Sequence, residues 1–296
     1  MIQLHDRDKP AAASYSNAGI EVLAAQAQQV AQDVDLIPPP TGHTVGEQQP
    51  AVVAPAPRLE FRKQPRSGRK FMFATGIECS YPIVGQGHRI DQMQSCGHYE
   101  MWEKDLELVR DMGIGFLRYG PPYYKMHLAP GKYDWSFFDK VYARLLEFGI
   151  EPIIDLVHFG VPDWIGGFQN PDLPHHLAEY ALAFANRYPA VRYYTPVNEI
   201  YITAQFSGAF GWWNEQLRSD HGFVTALKHC CKATLLAQQA ILGVRPDAIF
   251  IHSESTEYVH PGSPQMVKTA RFMNERRFLS LDLIYSNSPC IDMYRY

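Results

Sequence analysis

Ionisable or amide side chains stand at the ends of five apolar segments in this 296-residue sequence. They are Glu78, Arg118, His158, Asn198, Glu199, His252 and Glu254. Carboxyl, imidazole and guanidinium groups together can transfer protons and stabilise developing charge, as in general acid–base catalysis. Burying such a group without a partner costs folding free energy, so a polar site must hold these side chains. The pattern therefore predicts one site at which the five segments meet.

The apolar segments have the length of buried strands, and amphipathic helices separate them. Strands are predicted at 71–78, 114–119, 151–158, 191–199 and 248–254. Three helical faces are indicated by Trp102, Leu106 and Val109, by Phe138, Val141, Tyr142 and Leu145, and by Leu177, Tyr180, Ala181 and Phe184. A further helix, after the fifth strand, is predicted at about 265–285. This alternation favours a parallel sheet with crossover helices, and such apolar strands are expected to be buried on both faces.

Two glycines mark the ends of predicted helices. Gly113 precedes Ile114 and Gly149 precedes Ile150, so each glycine stands between a helix and the next strand. Glycine at this position adopts the left-handed conformation that ends many helices. The expected fold class is α/β, of the (β/α)8 TIM-barrel type, incomplete at about five βα units, with catalytic groups at the carboxyl ends of the strands.

Composition narrows the classes of function. Hydrophobic residues make up 46% of the chain and charged residues 20%, as in ordinary globular enzymes. The net charge of −4 gives no reason to expect nucleic acid or a membrane as partner. The five cysteines include the adjacent Cys230 and Cys231 and form no CxxC pair. With a charged and polar start to the chain, they predict reduced thiols in a cytoplasmic protein.

Residues 1–70 differ from the rest of the chain. They are rich in Ala, Ser, Gln and Pro, and such segments bury too little apolar surface to offset the loss of chain entropy. We expect a disordered, low-complexity extension at 1–70 before a barrel domain at 71–296. Within the extension, a short amphipathic helix is predicted at about 17–36, and the basic stretch 58–70 favours a linker or an interaction arm.

Four motifs resemble those of family 1 glycoside hydrolases in order and spacing over about residues 71–215. Residues 195–199 (TPVNE) resemble that family's Thr-Phe-Asn-Glu-Pro motif, and residues 158–164 (HFGVPDW) its His-Trp-Asp-Leu-Pro segment. Residues 116–119 (FLRY) resemble its Tyr-Arg-Phe strand, and residues 71–83 its opening strand. The resemblance implies a retaining β-glucosidase-like hydrolase that acts on a small or oligosaccharide glycoside, without metal or cofactor.

The resemblance also implies catalytic roles. Glu199 would be the acid/base, with a raised pKa, and Arg118 would hold a nucleophilic carboxylate ionised. An ordinary structural ion pair is the alternative for each. Asn198 would bind the sugar 2-hydroxyl, and His158 would bind a sugar hydroxyl as a neutral imidazole.

Three further side chains are candidates for substrate binding. Glu78 has no firm counterpart in the family, and we expect it to be either a hydroxyl acceptor or part of a salt bridge. Trp164 lies in the same loop as His158, after the third strand, and Trp212, after the fourth, would stack on a sugar ring. Trp212 and its neighbour Trp213 are equally explained as loop packing.

The match to the family is incomplete. Pro82 lies where the family has a sugar-binding glutamine, and its Ile-Thr-Glu-Asn-Gly nucleophile motif is absent. Three interpretations follow. The chain is a fragment of a longer gene product, which we favour, or another polypeptide completes the barrel. Alternatively, Glu254 or Glu257 replaces the missing nucleophile. Similar glycosidase-like domains can precede a sugar-nucleotide reductase domain on longer chains.

Two classes of function stay open. Hydrolysis of β-glucoside-like bonds is favoured by the Asn198–Glu199 pair together with Arg118. A catalytically inactive glycan-binding or scaffold protein is favoured by the absent nucleophile. A barrel aldolase is disfavoured, because no lysine ends a predicted strand.

Overall fold

A computed structural model describes residues 72–285. The predicted extension 1–70 and its helix at 17–36 lie outside the described residues. Five parallel strands form one sheet in chain order: β1 Ala74–Ile77, β2 Phe116–Tyr119, β3 Glu151–Asp155, β4 Tyr193–Thr195 and β5 Ile249–Phe250. Each strand is shorter than predicted, because the chain leaves the sheet before most of the polar strand-end residues. Arg118 is the exception and lies within β2.

Four long helices connect successive strands: α1 His98–Asp111, α2 Ser136–Phe148, α3 Leu173–Arg187 and α4 Asp220–Val244. Two more, α5 Val267–Arg276 and α6 Leu279–Tyr285, follow β5. The single helix predicted at 265–285 is therefore wrong; the break between α5 and α6 accompanies burial of Arg276 and Leu279 on either side of it. Shorter elements are the helices Gln92–Ser95, Tyr123–Met126 and Ile200–Ala204, and the antiparallel pairs Ile83–Val84 with His88–Arg89 and His127–Ala129 with Lys132–Tyr133.

The predicted helical faces pack against the sheet. Their buried members are Leu106, Val109, Phe138, Val141, Leu145, Leu177, Tyr180, Ala181 and Phe184, while Trp102 and Tyr142 are half-buried beside them. Gly113 and Gly149 have φ angles of 70° and 67°, which confirms the left-handed helix ends. The local sequence patterns thus place the helices on the strands as expected.

Burial differs along the sheet. The central strand β3 is almost fully buried, as expected of a strand covered on both faces. The expectation is wrong for β1, whose residues are exposed or half-buried, and for β5, where Ile249 is 38% exposed. Both are edge strands within residues 72–285, so part of their surface has no neighbour there.

The parallel register brings the strand ends together. Gly76 of β1 pairs with Arg118 of β2, and Arg118 in turn pairs with Ile153 of β3. Asp155, the last residue of β3, pairs with Thr195 of β4. All five carboxyl ends therefore open on one side of the sheet, which we call the mouth.

Candidate active site

The carboxylate of Asp155 lies at the centre of the mouth. Its Oδ2 atom lies 2.8 Å from Arg118 Nη2 and 2.6 Å from His158 Nδ1. The side chain of Asp155 is 1% exposed, so both contacts are shielded from solvent. Charge-assisted hydrogen bonds of this kind are about twice as strong as neutral ones. One oxygen atom therefore holds side chains from β2 and from the loop after β3.

Asp155 was missed by sequence reasoning. The available signal was a charged residue inside the apolar run 151–158, three positions before His158. A carboxylate in a buried central strand needs a charged partner, because burial without one is costly. Arg118, its partner, lies on the neighbouring strand and far away in the sequence.

Asn198 extends the network toward β5. Its Oδ1 atom accepts hydrogen bonds from Arg118 Nη2 at 2.7 Å and from Ser253 Oγ at 2.9 Å. Its Nδ2 atom lies 3.2 Å from His158 Nε2. Asn198 is 3% exposed, so its amide oxygen is oriented by Arg118 and Ser253 rather than by solvent. Ser253, the residue directly after His252, was also missed in the sequence.

His158 lies between two carboxylates. Besides Asp155, its Nε2 atom lies 2.7 Å from Glu78 Oε2. Burial lowers the pKa of His158, but the hydrogen bonds and charges of Asp155 and Glu78 outweigh it and raise the pKa to about 9. These contacts favour the protonated ring near neutral pH, whereas the sequence resemblance led us to expect a neutral imidazole.

Glu78 forms a salt bridge with His158, which is one of the two roles open to it. The hydrogen bond from His158 is the main cause that lowers the pKa of Glu78, against the opposing effect of burial. Its side chain is 52% exposed at the mouth, whereas His158 is 3% exposed. The carboxylate is thus ionised, anchored on one side and accessible on the other.

Glu199 follows β4 in a strained conformation. Its φ and ψ angles are 43° and 64°, in the left-handed region that residues other than glycine rarely adopt. Its backbone N–H donates to the carbonyl of Ser253 at 3.1 Å, which ties this turn to the loop after β5. Strain of this kind persists only where surrounding structure enforces it, and it often marks functional sites.

The surroundings of the Glu199 carboxyl group favour its protonated form. Burial raises its pKa, and the negative charges of Glu254 and Glu78 add to this, while His158 and Arg118 act in the opposite direction. Within residues 72–285 its carboxylate makes no hydrogen bond. The group is half-buried and favours its protonated form more than a solvated glutamate does.

Glu254, the first substitute nucleophile considered, is fully engaged. Its Oε1 and Oε2 atoms accept from the backbone N–H of Tyr201 at 3.2 and 3.3 Å. Its Oε1 also accepts from Ser280 Oγ at 2.5 Å and lies 3.2 Å from His252 Nε2. Its side chain is 9% exposed. These contacts indicate an anchoring role for Glu254 and His252. Glu257 is exposed and accepts from Ser255.

The three tryptophans near the mouth differ in their surroundings. Trp164 donates from Nε1 to the backbone carbonyl of His127 at 2.7 Å, and its indole ring packs edge-on against the imidazole ring of His127. Trp213 packs against Phe159 and Phe206, with ring centroids 4.6 and 4.7 Å apart. Trp212 is 54% exposed. Among these three rings, Trp212 is the most accessible to a ligand.

Two close backbone approaches fix the loops of the mouth. A Cβ atom at Gly160 would lie 2.0 Å from the carbonyl oxygen of Tyr81, so only glycine fits there. Tyr81 also donates its N–H to the carbonyl of His158 at 3.2 Å. Asn214 donates through Nδ2 to the carbonyl of Phe159 at 3.1 Å. It also accepts through Oδ1 from the N–H of Ile83 at 3.2 Å and donates its own N–H to the carbonyl of Ile83 at 2.7 Å. The loops after β1, β3 and β4 are therefore joined.

Comparison with known proteins accounts for this arrangement. The family model of glycosyl hydrolase family 1 matches residues 84–283, which is more than half of the chain. The chain belongs to glycosyl hydrolase family 1. The sequence resemblance is thereby confirmed, and the five-stranded parallel sheet is part of this family's barrel fold. No helix between residues 72 and 285 is long and apolar enough to cross a membrane.

Relatives in this family include glucosidases. A bifunctional β-D-glucosidase/β-D-fucosidase of Bifidobacterium breve is 31% identical over 169 residues, which cover 46% of this chain and 36% of that protein. A 6-phospho-β-glucosidase of Clostridium longisporum is 27% identical over 171 residues, which cover 53% and 36%. The chain thus spans little more than a third of the length of these two curated relatives.

Solved structures show the same fold. The family 1 β-glucosidase of Thermotoga maritima, in complex with isofagomine lactam, superposes with a TM-score of 0.63 at 22% identity. The superposition covers 75% of this chain and 57% of that one. At this identity the likeness establishes the barrel architecture alone.

Proposed function

We propose that this family 1 protein hydrolyses β-glucoside-like bonds with net retention and that Glu199 is its acid/base. The observation that carries the proposal is the half-buried Glu199 carboxyl, with its raised pKa, at the end of β4 beside Asn198. General acid catalysis needs a carboxyl group that is still protonated near the working pH. Glycan binding alone does not require a carboxyl group whose protonated form is favoured in this way. The β-glucosidase names of relatives also favour the enzyme.

The proposed reaction has two steps. First, the Glu199 carboxyl gives its proton to the glycosidic oxygen while a nucleophilic carboxylate bonds to the anomeric carbon and the aglycone leaves as an alcohol. Second, the Glu199 carboxylate takes a proton from water, whose oxygen displaces the enzyme carboxylate and restores the original configuration. We propose that the nucleophile comes from outside residues 72–285, since Glu254 is engaged with Tyr201 and Ser280.

The remaining residues would bind and orient the sugar. Asn198 would contact the 2-hydroxyl, and Arg118 would place its positive charge beside the incoming nucleophile. His158 would donate to a sugar hydroxyl and Glu78 would accept from one, because Nε2 of the ring and the exposed carboxylate meet at the mouth. Trp212 is the exposed ring to which we assign stacking on the sugar. Trp164, in the loop after β3, would contribute to substrate binding.

The proposed setting is the cytoplasm, without a resident metal or cofactor. Cys79, Cys230 and Cys231 are buried free thiols, which supports a reducing compartment. The proposed ligand is a glycoside or oligosaccharide, and the net charge offers no attraction for nucleic acid.

The test is hydrolysis of 4-nitrophenyl β-glycosides and unactivated β-glucosides by the full-length protein. Glu199→Gln should lower turnover of poor leaving groups by roughly 10²–10⁴-fold, with Glu257→Gln as the matched control. Azide added to Glu199→Ala should give the β-glycosyl azide, because the nucleophile would be intact. An α-azide, an inverted product, or a folded protein that binds glycans without turnover would overturn the proposal.

A further inference from the structure

A continuous set of polar contacts connects all five strand ends. Glu78 after β1 contacts His158, and His158 contacts Asp155 of β3. Asp155 contacts Arg118 of β2, which donates to Asn198 after β4, and Asn198 accepts from Ser253 after β5. Asp155 links the part that begins at Glu78 to the part that ends at Ser253 through charged contacts, beside the 3.2 Å contact between His158 Nε2 and Asn198 Nδ2.

Asp155 makes this link with a single atom. Oδ2 serves both Arg118 and His158, whereas Oδ1 is buried and has no hydrogen-bond partner among the described residues. Arg118 Nε is likewise buried and unpartnered in this part of the chain. If Asp155 only neutralised Arg118, a bidentate ion pair that uses both carboxylate oxygens would be the stronger arrangement. The geometry instead favours simultaneous contact with both side chains.

We propose that Asp155 is a positioning residue of the mouth, which fixes the ring of His158 and the guanidinium of Arg118 through one carboxylate oxygen. Because Nδ1–H of the ring donates to Asp155, Nε2 faces Glu78 and the mouth. A sugar hydroxyl that binds there would share the Nε2–H donor of His158 with Glu78 and would meet an acceptor on the exposed Glu78 carboxylate. Asp155 sets this ring orientation through Nδ1, the nitrogen that faces away from the mouth, and does not touch the ligand itself.

The charge of His158 follows from the same contacts. The charged groups that face it are Asp155 on β3 and Glu78 after β1, with Glu199 after β4 at longer range. Arg118 on β2 is connected to the ring through Asp155 and through Asn198. Replacing Asp155 by asparagine keeps the shape but removes the nearest negative charge, so the pKa of His158 should fall. This inference rests on the proposed function only for the nature of the ligand.

The experiment is a ¹⁵N-histidine NMR titration of the full chain, with His158 among the 12 histidines identified through His158→Gln. In the unmodified protein, the His158 ring should titrate near pH 9 and lose its proton from Nε2, so that the neutral ring keeps Nδ1–H. Asp155→Asn should lower that midpoint by at least about one pH unit.

The chain offers a matched control. Asp105 on α1 lies 2.6 Å from Nδ1 of the buried His98, which reproduces the local pair away from the five-strand network. Asp105→Asn should leave the His158 midpoint unchanged. An unchanged midpoint in Asp155→Asn overturns the proposal. Should that variant not fold, the unmodified protein decides: a midpoint near 6.5, or a neutral ring protonated on Nε2, overturns it. The titration is read without turnover, so failure of a glycosidase assay is a separate result.

Discussion

Both carboxylate oxygens of Glu254 accept the backbone N–H of Tyr201, at 3.2 and 3.3 Å. Tyr201 is the second residue of the short helix Ile200–Ala204, whose first residue follows Glu199 directly. The N–H groups at the start of a helix have no partner within it, so a carboxylate there satisfies one and complements the helix dipole. The loop after β5 thereby anchors the turn that carries Glu199.

We expect Glu254→Ala to lower the free energy of unfolding by about 1–3 kcal/mol, because it leaves a largely buried N–H without its acceptor. Urea denaturation measures this loss. Exposed Glu257 is the control, since Glu257→Ala should change stability by less than about 0.5 kcal/mol. Unchanged stability of Glu254→Ala, combined with complete loss of turnover in the full-length protein, would contradict the anchoring role and favour a nucleophile.

The raised pKa of His158 predicts a dependence of stability on pH. The folded pKa of about 9 exceeds the ordinary value of 6.5, so the stabilisation is fully present below pH 6.5 and is lost as pH rises through 9. The loss should be on the order of 3 kcal/mol across this window. Urea denaturation at pH 6 and pH 9.5 measures it. His158→Gln should lack most of this difference, and an equal difference in that variant would refute the assignment.

The close approach of Gly160 to Tyr81 predicts that Gly160→Ala is strongly destabilising. The added Cβ would meet backbone oxygen at 2.0 Å, so the loop after β1 or that after β3 must move. We expect a loss of about 2–4 kcal/mol, as for other severe backbone or packing conflicts. Gly115 is a suitable control, because its Cβ would meet nothing within 4 Å and its φ is not positive. Thermal unfolding that is the same for both alanine variants would contradict this account.

Trp212 and Trp213 should respond differently to replacement by alanine. Trp212 is 54% exposed and also packs against Phe206 and Phe210. Because its exposed face would stack on the ligand, Trp212→Ala should weaken glycoside binding on the order of tenfold. Trp213 packs on Phe159 and Phe206, so Trp213→Ala should lower stability by roughly 2–4 kcal/mol. Calorimetric binding of deoxynojirimycin and urea denaturation separate the two effects. Equal binding by Trp212→Ala would rule out stacking on this ring.

Local patterns in the sequence predict much of the fold. Hydrophobic periodicity places the strands and buried helical faces, because burial along an element repeats with that element's own geometry. Gly113 and Gly149 mark helix ends for a local reason as well. The break between α5 and α6 escapes such reasoning, since it depends on burying Arg276 and Leu279 against other elements.

Most residues of the site are predictable from the sequence, but Asp155 and Ser253 are not, and neither are the contacts that join the residues. Parallel strands bring Glu78, Arg118 and His158 to one edge, as the strand-end pattern indicates. The charge on His158 is not predictable, because it depends on two carboxylates whose distances only the fold determines. For the same reason the sequence shows Asp155 as one residue of a buried strand, but not as the partner of Arg118 and His158.

The network through the five strand ends also ties together how its positions can evolve. An apolar residue in place of Asp155 would leave the buried His158 and the largely buried Arg118 without their shared anion, at a cost of several kcal/mol. We therefore expect such a substitution to cost less stability when the other two positions are changed with it, because the three side chains share one set of contacts.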